Sequence, residues 1–179
     1  MNSDNQQKLM TLARQAIDNC LQRKSFTPQV EHDPQLTQIA GCFVTIKING
    51  QLRGCIGTFI GSQPLYLEVA RMAVAAATQD PRFLPMTASD LGRYHLDISV
   101  LSPLEKITDP HLIEVGKHGI YLEQNGHRGV LLPQVATEYG WDRQTFLEQT
   151  CKKAGLPSDA WQSGEPILFI FTAEIIKEK

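Results

Sequence analysis

Leu52-Arg53-Gly54-Cys55-Ile56-Gly57-Thr58 is the stretch from which the fold can be worked out. It follows Asn49-Gly50, a strong hairpin signal, and precedes an alanine-rich helical pattern. It sets a cysteine between two glycines, where a strand interior ordinarily carries bulky side chains. Glycine in a strand costs stability and marks a close approach by ligand or backbone. Arg53 stands two residues before Cys55, on the same face of an extended segment. Small neighbours, a thiol and a fixed positive charge are the makings of a site. They are also the makings of a bulged strand with a buried cysteine, since free cysteine is among the most buried residue types.

The strand before the turn runs over 43–48, and two registers compete. A two-residue loop pairs Ile48 with Gln51 and Val44 with Cys55. A three-residue loop pairs Ile48 with Leu52, Ile46 with Gly54 and Val44 with Ile56. The second matches apolar with apolar and is preferred, although Asn-Gly itself favours the first. The second register sets Cys55 across from Thr45 and turns Cys42 away from it, which argues against a disulfide.

Upstream, Leu9, Leu12, Ala13, Ala16, Ile17, Cys20 and Leu21 recur at helical spacing and predict a helix over 5–23, with Cys20 in its core stripe. Residues 25–40 read as a connection without regular structure, with a turn at His32-Asp33-Pro34. Downstream, a helix is predicted over 64–79, capped by Ser62, with Glu68 and Arg71 pairing on its surface. Asp80-Pro81-Arg82-Phe83 then brings an acid and a base into one turn. Residues 94–101 form a strand with Leu96, Ile98 and Val100 on one face. Residues 105–165 read as a distinct lobe with a hairpin around Gln124-Asn125-Gly126-His127. In that lobe Asp142 caps a helix whose inner stripe is Phe146, Leu147, Thr150, Cys151 and Ala154. A long apolar strand over 166–176 closes the chain. Strands arrive as hairpins and do not alternate with helices, so the fold class is α+β with a mainly antiparallel sheet and packed helices.

The 179 residues carry a net charge of −2 and no lysine/arginine cluster, which gives no footprint for nucleic acid. No apolar run reaches the ~18 residues of a membrane span. The polar N-terminus does not read as a secretory signal, so a cytoplasmic location is the default. Cys20, Cys42, Cys55 and Cys151 show no Cys-x-x-Cys spacing, and the five histidines form no helical pair, so no metal site is expected. No cofactor is legible.

Gly41-Cys42-Phe43-Val44-Thr45, followed by Asn49-Gly50-Gln51-Leu52-Arg53-Gly54-Cys55-Ile56-Gly57, resembles the signature of the AMMECR domain family. The prokaryotic members of that family are called AmmeMemoRadiSam system protein A. The resemblance extends over roughly residues 8 to 176. It takes in Asp80-Pro81-Arg82-Phe83, Val115-Gly116-Lys117-His118-Gly119, Leu131-Leu132-Pro133-Gln134-Val135-Ala136, Glu138-Tyr139-Gly140-Trp141-Asp142 and Ala154-Gly155-Leu156-Pro157. Leu84-Pro85-Met86 and Cys42 are modest departures. The resemblance implies one domain over 1–179 with a larger and a smaller lobe and a cleft between them, toward which the signature strand looks. On the chain's own pattern the larger lobe takes about 5–103 plus 166–176, and the smaller about 105–165. The resemblance also implies a pathway shared with a MEMO-type protein and a radical S-adenosylmethionine protein, without giving an activity.

Two functions compete. In a thiol-dependent enzyme, Cys55 is the nucleophile, Arg53 favours its thiolate or binds an anionic substrate, and His118 is the base. Gln134 would then donate to an oxyanion and Asp80 would orient Arg82 or the histidine. In a binding or adaptor module, Gly54 and Gly57 permit close approach while Arg53 and Arg82 hold a carboxylate or phosphate of a small molecule or partner protein.

Overall fold

The computed structural model describes residues 1–178 and resolves the register question by satisfying both signals. Strand β1 (Cys42–Ile48) and strand β2 (Gln51–Thr58) follow a first helix α1 (Ser3–Leu21) and a single turn of helix α2 (Pro34–Thr37). Asn49 and Gly50 both take positive φ, 52° and 76°, as a two-residue turn demands, and Ile48 pairs with Gln51. A bulge then places Leu52 and Arg53 against the single residue Lys47, after which Ile46 pairs with Gly54, Val44 with Ile56 and Thr45 with Cys55. The extra residue restores the apolar-to-apolar match that the tight turn alone would have lost.

Two compact units make up the chain. The first comprises Met1–Leu101 and Glu174–Lys179, the second Ser102–Ala173. In the first unit, helix α3 (Leu65–Thr78) and strand β3 (Tyr94–Leu101) follow the hairpin, and with the last strand, β8 (Ala173–Lys177), the sheet order is β2-β1-β3-β8. Strands β1, β2 and β3 run antiparallel. Alternation sends Val44, Ile46, Leu96 and Ile98 into a core shared with Leu9, Ala13 and Ile17 of α1 and Val69, Met72, Ala73 and Ala76 of α3. Burying each large apolar side chain there contributes about 1.5–3 kcal/mol. The opposite face carries Phe43, Thr45 and Lys47, all half-buried.

Helix α3 does not use Ser62 as its cap. Pro64 occupies the cap position with no side-chain bond, and the Leu65 amide donates instead to the Gln38 carbonyl at 2.9 Å. Glu68 does pair with Arg71, but Glu68 is fully buried and only Arg71 reaches solvent. Cys20 is half-exposed rather than core. Asp33 caps α2 inside the segment expected to lack regular structure.

In the second unit, strands β4 (Glu105–Ile107), β5 (Gly119–Gln124) and β6 (His127–Leu131) precede helices α4 (Pro133–Glu138) and α5 (Arg143–Lys153). Strand β7 (Ile167–Phe171) completes an antiparallel sheet in the order β4-β7-β5-β6. Asp142 caps α5 through the Thr145 amide, and Phe146, Leu147, Thr150 and Cys151 are its buried stripe. The apolar run over 166–176 is two strands, not one. β7 pairs with β5 and β4, and β8 (Ala173–Lys177) joins the other sheet. The break falls at Thr172, whose amide donates to Ser102 Oγ and whose carbonyl accepts from the Ser102 amide, both at 2.9 Å. The fold is α+β, built of two antiparallel sheets with packed helices.

Candidate functional site

Strand β2 is an edge of its sheet, and the amide of Cys55 points away from β1. An unpaired edge amide needs a partner. Asp80, just past the end of α3, supplies it: Oδ2 accepts the Cys55 N–H at 2.8 Å. Pro81 ends the helix, and the turn that follows closes with the Phe83 amide on the Asp80 carbonyl. The turn folds Arg82 back on the same carboxylate. Its amide and Nε reach Oδ1 at 3.1 and 3.0 Å, and Nη2 reaches Oδ2 at 2.7 Å. Asp80 is 5% exposed. The Arg82 guanidinium, aided by the two amides and opposed by burial, holds the Asp80 carboxyl well below the usual range, and Asp80 in turn raises Arg82. More than half of the Arg82 side chain remains in solvent.

On the other side of Cys55, its sulfur lies 3.1 Å from Thr45 Oγ1. Thr45 also pairs with Asp97, whose carboxylate binds Lys47 Nζ at 2.6 Å. Thr45 was not singled out as a site residue from sequence. The preferred register put it opposite Cys55, and that is the signal by which it could have been found. Arg53, at the bulge, has no hydrogen bond or ion pair from its guanidinium among the described residues.

The two glycines are filled by the protein itself. A Cβ on Gly54 would stand 2.1 Å from the Ala76 carbonyl oxygen, so the close approach there is by the backbone of α3. A Cβ on Gly57 would stand 2.3 Å from the Phe43 ring and 2.4 Å from the Cys42 carbonyl oxygen.

Cys55, Asp80 and Arg82 therefore meet in the first unit, with Arg53 and Thr45 adjacent in the hairpin. His118 and Gln134 belong to the second. His118 is buried, and its Nδ1 accepts the Glu114 amide at 3.1 Å. The lone pair of Nδ1 is engaged by that amide. Gln134 lies in the first turn of α4 with Oε1 buried and unpartnered. Among the described residues no three histidine, cysteine or carboxylate side chains gather as a metal ion would require.

The AMMECR1 family model matches residues 10–176. A protein of Thermococcus onnurineus is 40% identical over 182 residues, covering 96% of this chain and 89% of the relative. One of Aquifex aeolicus is 36% identical over 179 residues, covering 96% and 92%. The crystal structure of uncharacterized protein PH0010 from Pyrococcus horikoshii superposes with a TM-score of 0.83 at 38% identity, over 93% of this chain and 88% of that one.

Proposed function

The chain belongs to the AMMECR1 family, and from that premise we propose that it is a binding module whose recognition site in the first unit is built on Cys55, Arg53 and Arg82. Its ligand is an anion, a carboxylate or phosphate carried by a small molecule or by a partner protein. Arg82 carries this reading. It is fixed through Nε and Nη2 to a buried carboxylate that also anchors the Cys55 amide, while most of its side chain faces solvent. A guanidinium held in this way offers its remaining N–H groups to an anion without first being ordered. Arg53, with no competing acid partner among the described residues, adds a second charge two residues from the thiol. The MEMO-type and radical S-adenosylmethionine proteins that go with the family resemblance are the first partners to try.

The thiol-enzyme reading draws on the Cys55–Thr45 contact and the partial exposure of the residue. It wants a base in the same cluster, and there both Asp80 oxygens already accept from Arg82 and backbone amides. The deciding experiment titrates inorganic phosphate against the full chain and follows cysteine alkylation by mass spectrometry, with Cys20, Cys42 and Cys151 as internal controls. Phosphate is expected to slow alkylation of Cys55 alone, and Arg82→Gln to remove the protection. Fast alkylation of Cys55 at pH 6, where an ordinary thiol (pKa ~8.5) is almost wholly protonated, with no effect of phosphate, would transfer the assignment to the thiol enzyme.

A further inference from the structure

A hollow of about 710 Å³ lies in the first unit, between α1 and residues 26–36. Small-molecule sites occupy about 300–1,000 Å³. The floor is apolar: Leu9 and Leu36 are fully buried, and Leu12 and Phe26 partly so. Tyr66 of α3 completes it at 7% exposure. A tyrosine buried this deeply ordinarily finds a partner for its hydroxyl. The Tyr66 hydroxyl has none among the described residues, and Tyr66 is one of the residues that line the hollow.

The rim defines the charge that would be accepted. Lys8 Nζ is paired with Glu31 at 3.1 Å, and Asp4, one turn before Lys8, makes no ion pair among the described residues, so the rim is net acidic and an anion would meet two carboxylates and no unpaired positive charge. The glutamines Gln7, Gln15 and Gln29 supply neutral donors and acceptors. A second hollow of about 720 Å³, sharing Phe26, differs in charge, with Lys24 and the Glu68-paired Arg71 on its rim and no acid among its lining residues. Residues 25–32 make no backbone–backbone hydrogen bond among the described residues, and the Lys8–Glu31 pair is their one polar side-chain tie to α1. Little has to be broken to admit a ligand beneath them.

We infer that the hollow under residues 26–36 binds a small molecule without negative charge, with an apolar ring-sized body and a hydrogen-bonding group opposite the Tyr66 hydroxyl. This site is separate from Cys55 and stands whatever Cys55 does. The test is a fluorescence titration of the full chain with N-phenyl-1-naphthylamine, an uncharged aryl amine that brightens in apolar surroundings. Its sulfonated analogue, 8-anilino-1-naphthalenesulfonate, is titrated in parallel. Saturable binding of one equivalent of the neutral dye is expected, at least tenfold tighter than binding of the sulfonate at this site. Thr11→Trp, an exposed rim position whose change leaves the core alone, should weaken the neutral dye at least tenfold with the melting temperature preserved. Tyr66→Phe should weaken it about 3- to 10-fold, the worth of one hydrogen bond. Failure of the neutral dye to saturate, equal affinity for the sulfonate, or unchanged binding in Thr11→Trp would each overturn the site; unchanged binding in Tyr66→Phe would overturn the role given to the hydroxyl.

Discussion

Gly54→Ala separates two meanings of the glycine-flanked cysteine. If the glycine makes room for a ligand, alanine weakens binding and leaves stability alone. The structure assigns the space to α3, because the new Cβ would lie 2.1 Å from the Ala76 carbonyl oxygen and 3.1 Å from its carbon. Both are backbone atoms in the last turn of a packed helix, so no side-chain rotation relieves the clash. Strand and helix must separate by about 1 Å, at the upper end of the usual overpacking cost, about 3 kcal/mol. With a urea m-value of about 1.5–3 kcal/mol/M, the midpoint falls by about 1–2 M. The assay must look at the right unit. Trp141 and Trp161 both lie in the second, so tryptophan fluorescence reports there. Hydrogen exchange of peptides from residues 42–58 and 65–78, read by mass spectrometry against urea, reports on the hairpin and α3 directly. Gly57→Ala should behave in the same direction because the Cys42 carbonyl, as well as the Phe43 ring, blocks its Cβ. A Gly54→Ala protein within about 0.5 kcal/mol of the parent would refute the packing account and return the glycine to the ligand.

Acid should weaken the first unit partly through Asp80. Its carboxyl is held below the ordinary value chiefly by Arg82, so the unfolded chain takes up this proton first; the stabilisation is complete above about pH 5 and is lost as the pH falls below that. The urea midpoint of the parent should therefore fall more steeply between pH 5 and pH 3 than that of Asp80→Asn, and parallel slopes would count against the Asp80–Arg82 clamp. Cys42, fully buried and with its thiol pushed up to about 12 by burial and then by Glu68, should resist alkylation at pH 8 until the first unit unfolds, while half-exposed Cys55 reacts in the native state.

Much of this architecture is written in local patterns. The Asp142 cap, the stripe of α5 and strand β3 follow from spacing alone, because each depends on neighbours within a few residues. The hairpin carried two honest but conflicting signals, one from the turn and one from the pairing, and a bulge at Arg53 let both hold. Glu68 is different: it lies three residues after Leu65 and four before Met72, on the buried stripe itself, yet the pairing rule for exposed helices hid this. The run over 166–176 could not show its break, since an apolar sequence reads alike in either sheet and the divide at Thr172 depends on Ser102, seventy residues away. The Asp80–Cys55 bond was equally invisible. It arises because β2 is an edge, and edges are a property of the assembled sheet.

The second unit supplies an internal comparison for the signature stretch. There, a Cβ on Gly129 of β6 would lie 2.3 Å from the Thr150 carbonyl of α5, and one on Gly119 of β5 would lie 2.3 Å from the Phe171 ring. One glycine lies under a helix backbone and one under an aromatic ring, as with Gly54 and Gly57, but no cysteine lies between them, and Arg128, which precedes Gly129 as Arg53 precedes Gly54, is paired with Glu123 at 3.6 Å. The device is therefore a way of seating a helix and a ring on a sheet, and it recurs where there is no thiol. Applied to residues 52–58, it accounts for both glycines, as the bulge accounts for the register and Asp80 for the Cys55 amide. Packing leaves three groups without a duty: the Arg53 guanidinium, the Cys55 thiol beyond its contact with Thr45, and the outward edge of Arg82. Two cations flanking a thiol are what an anion would meet there. For that reason Arg53→Gln and Arg82→Gln, both exchanging a charged head for a neutral one of similar length, should each weaken anion protection of Cys55 while leaving the urea midpoint within about 0.3 M for Arg53 and lowering it for Arg82, whose loss strips Asp80 of its main partner. Equal protection in both variants would detach the cations from the site and leave Cys55 as packing.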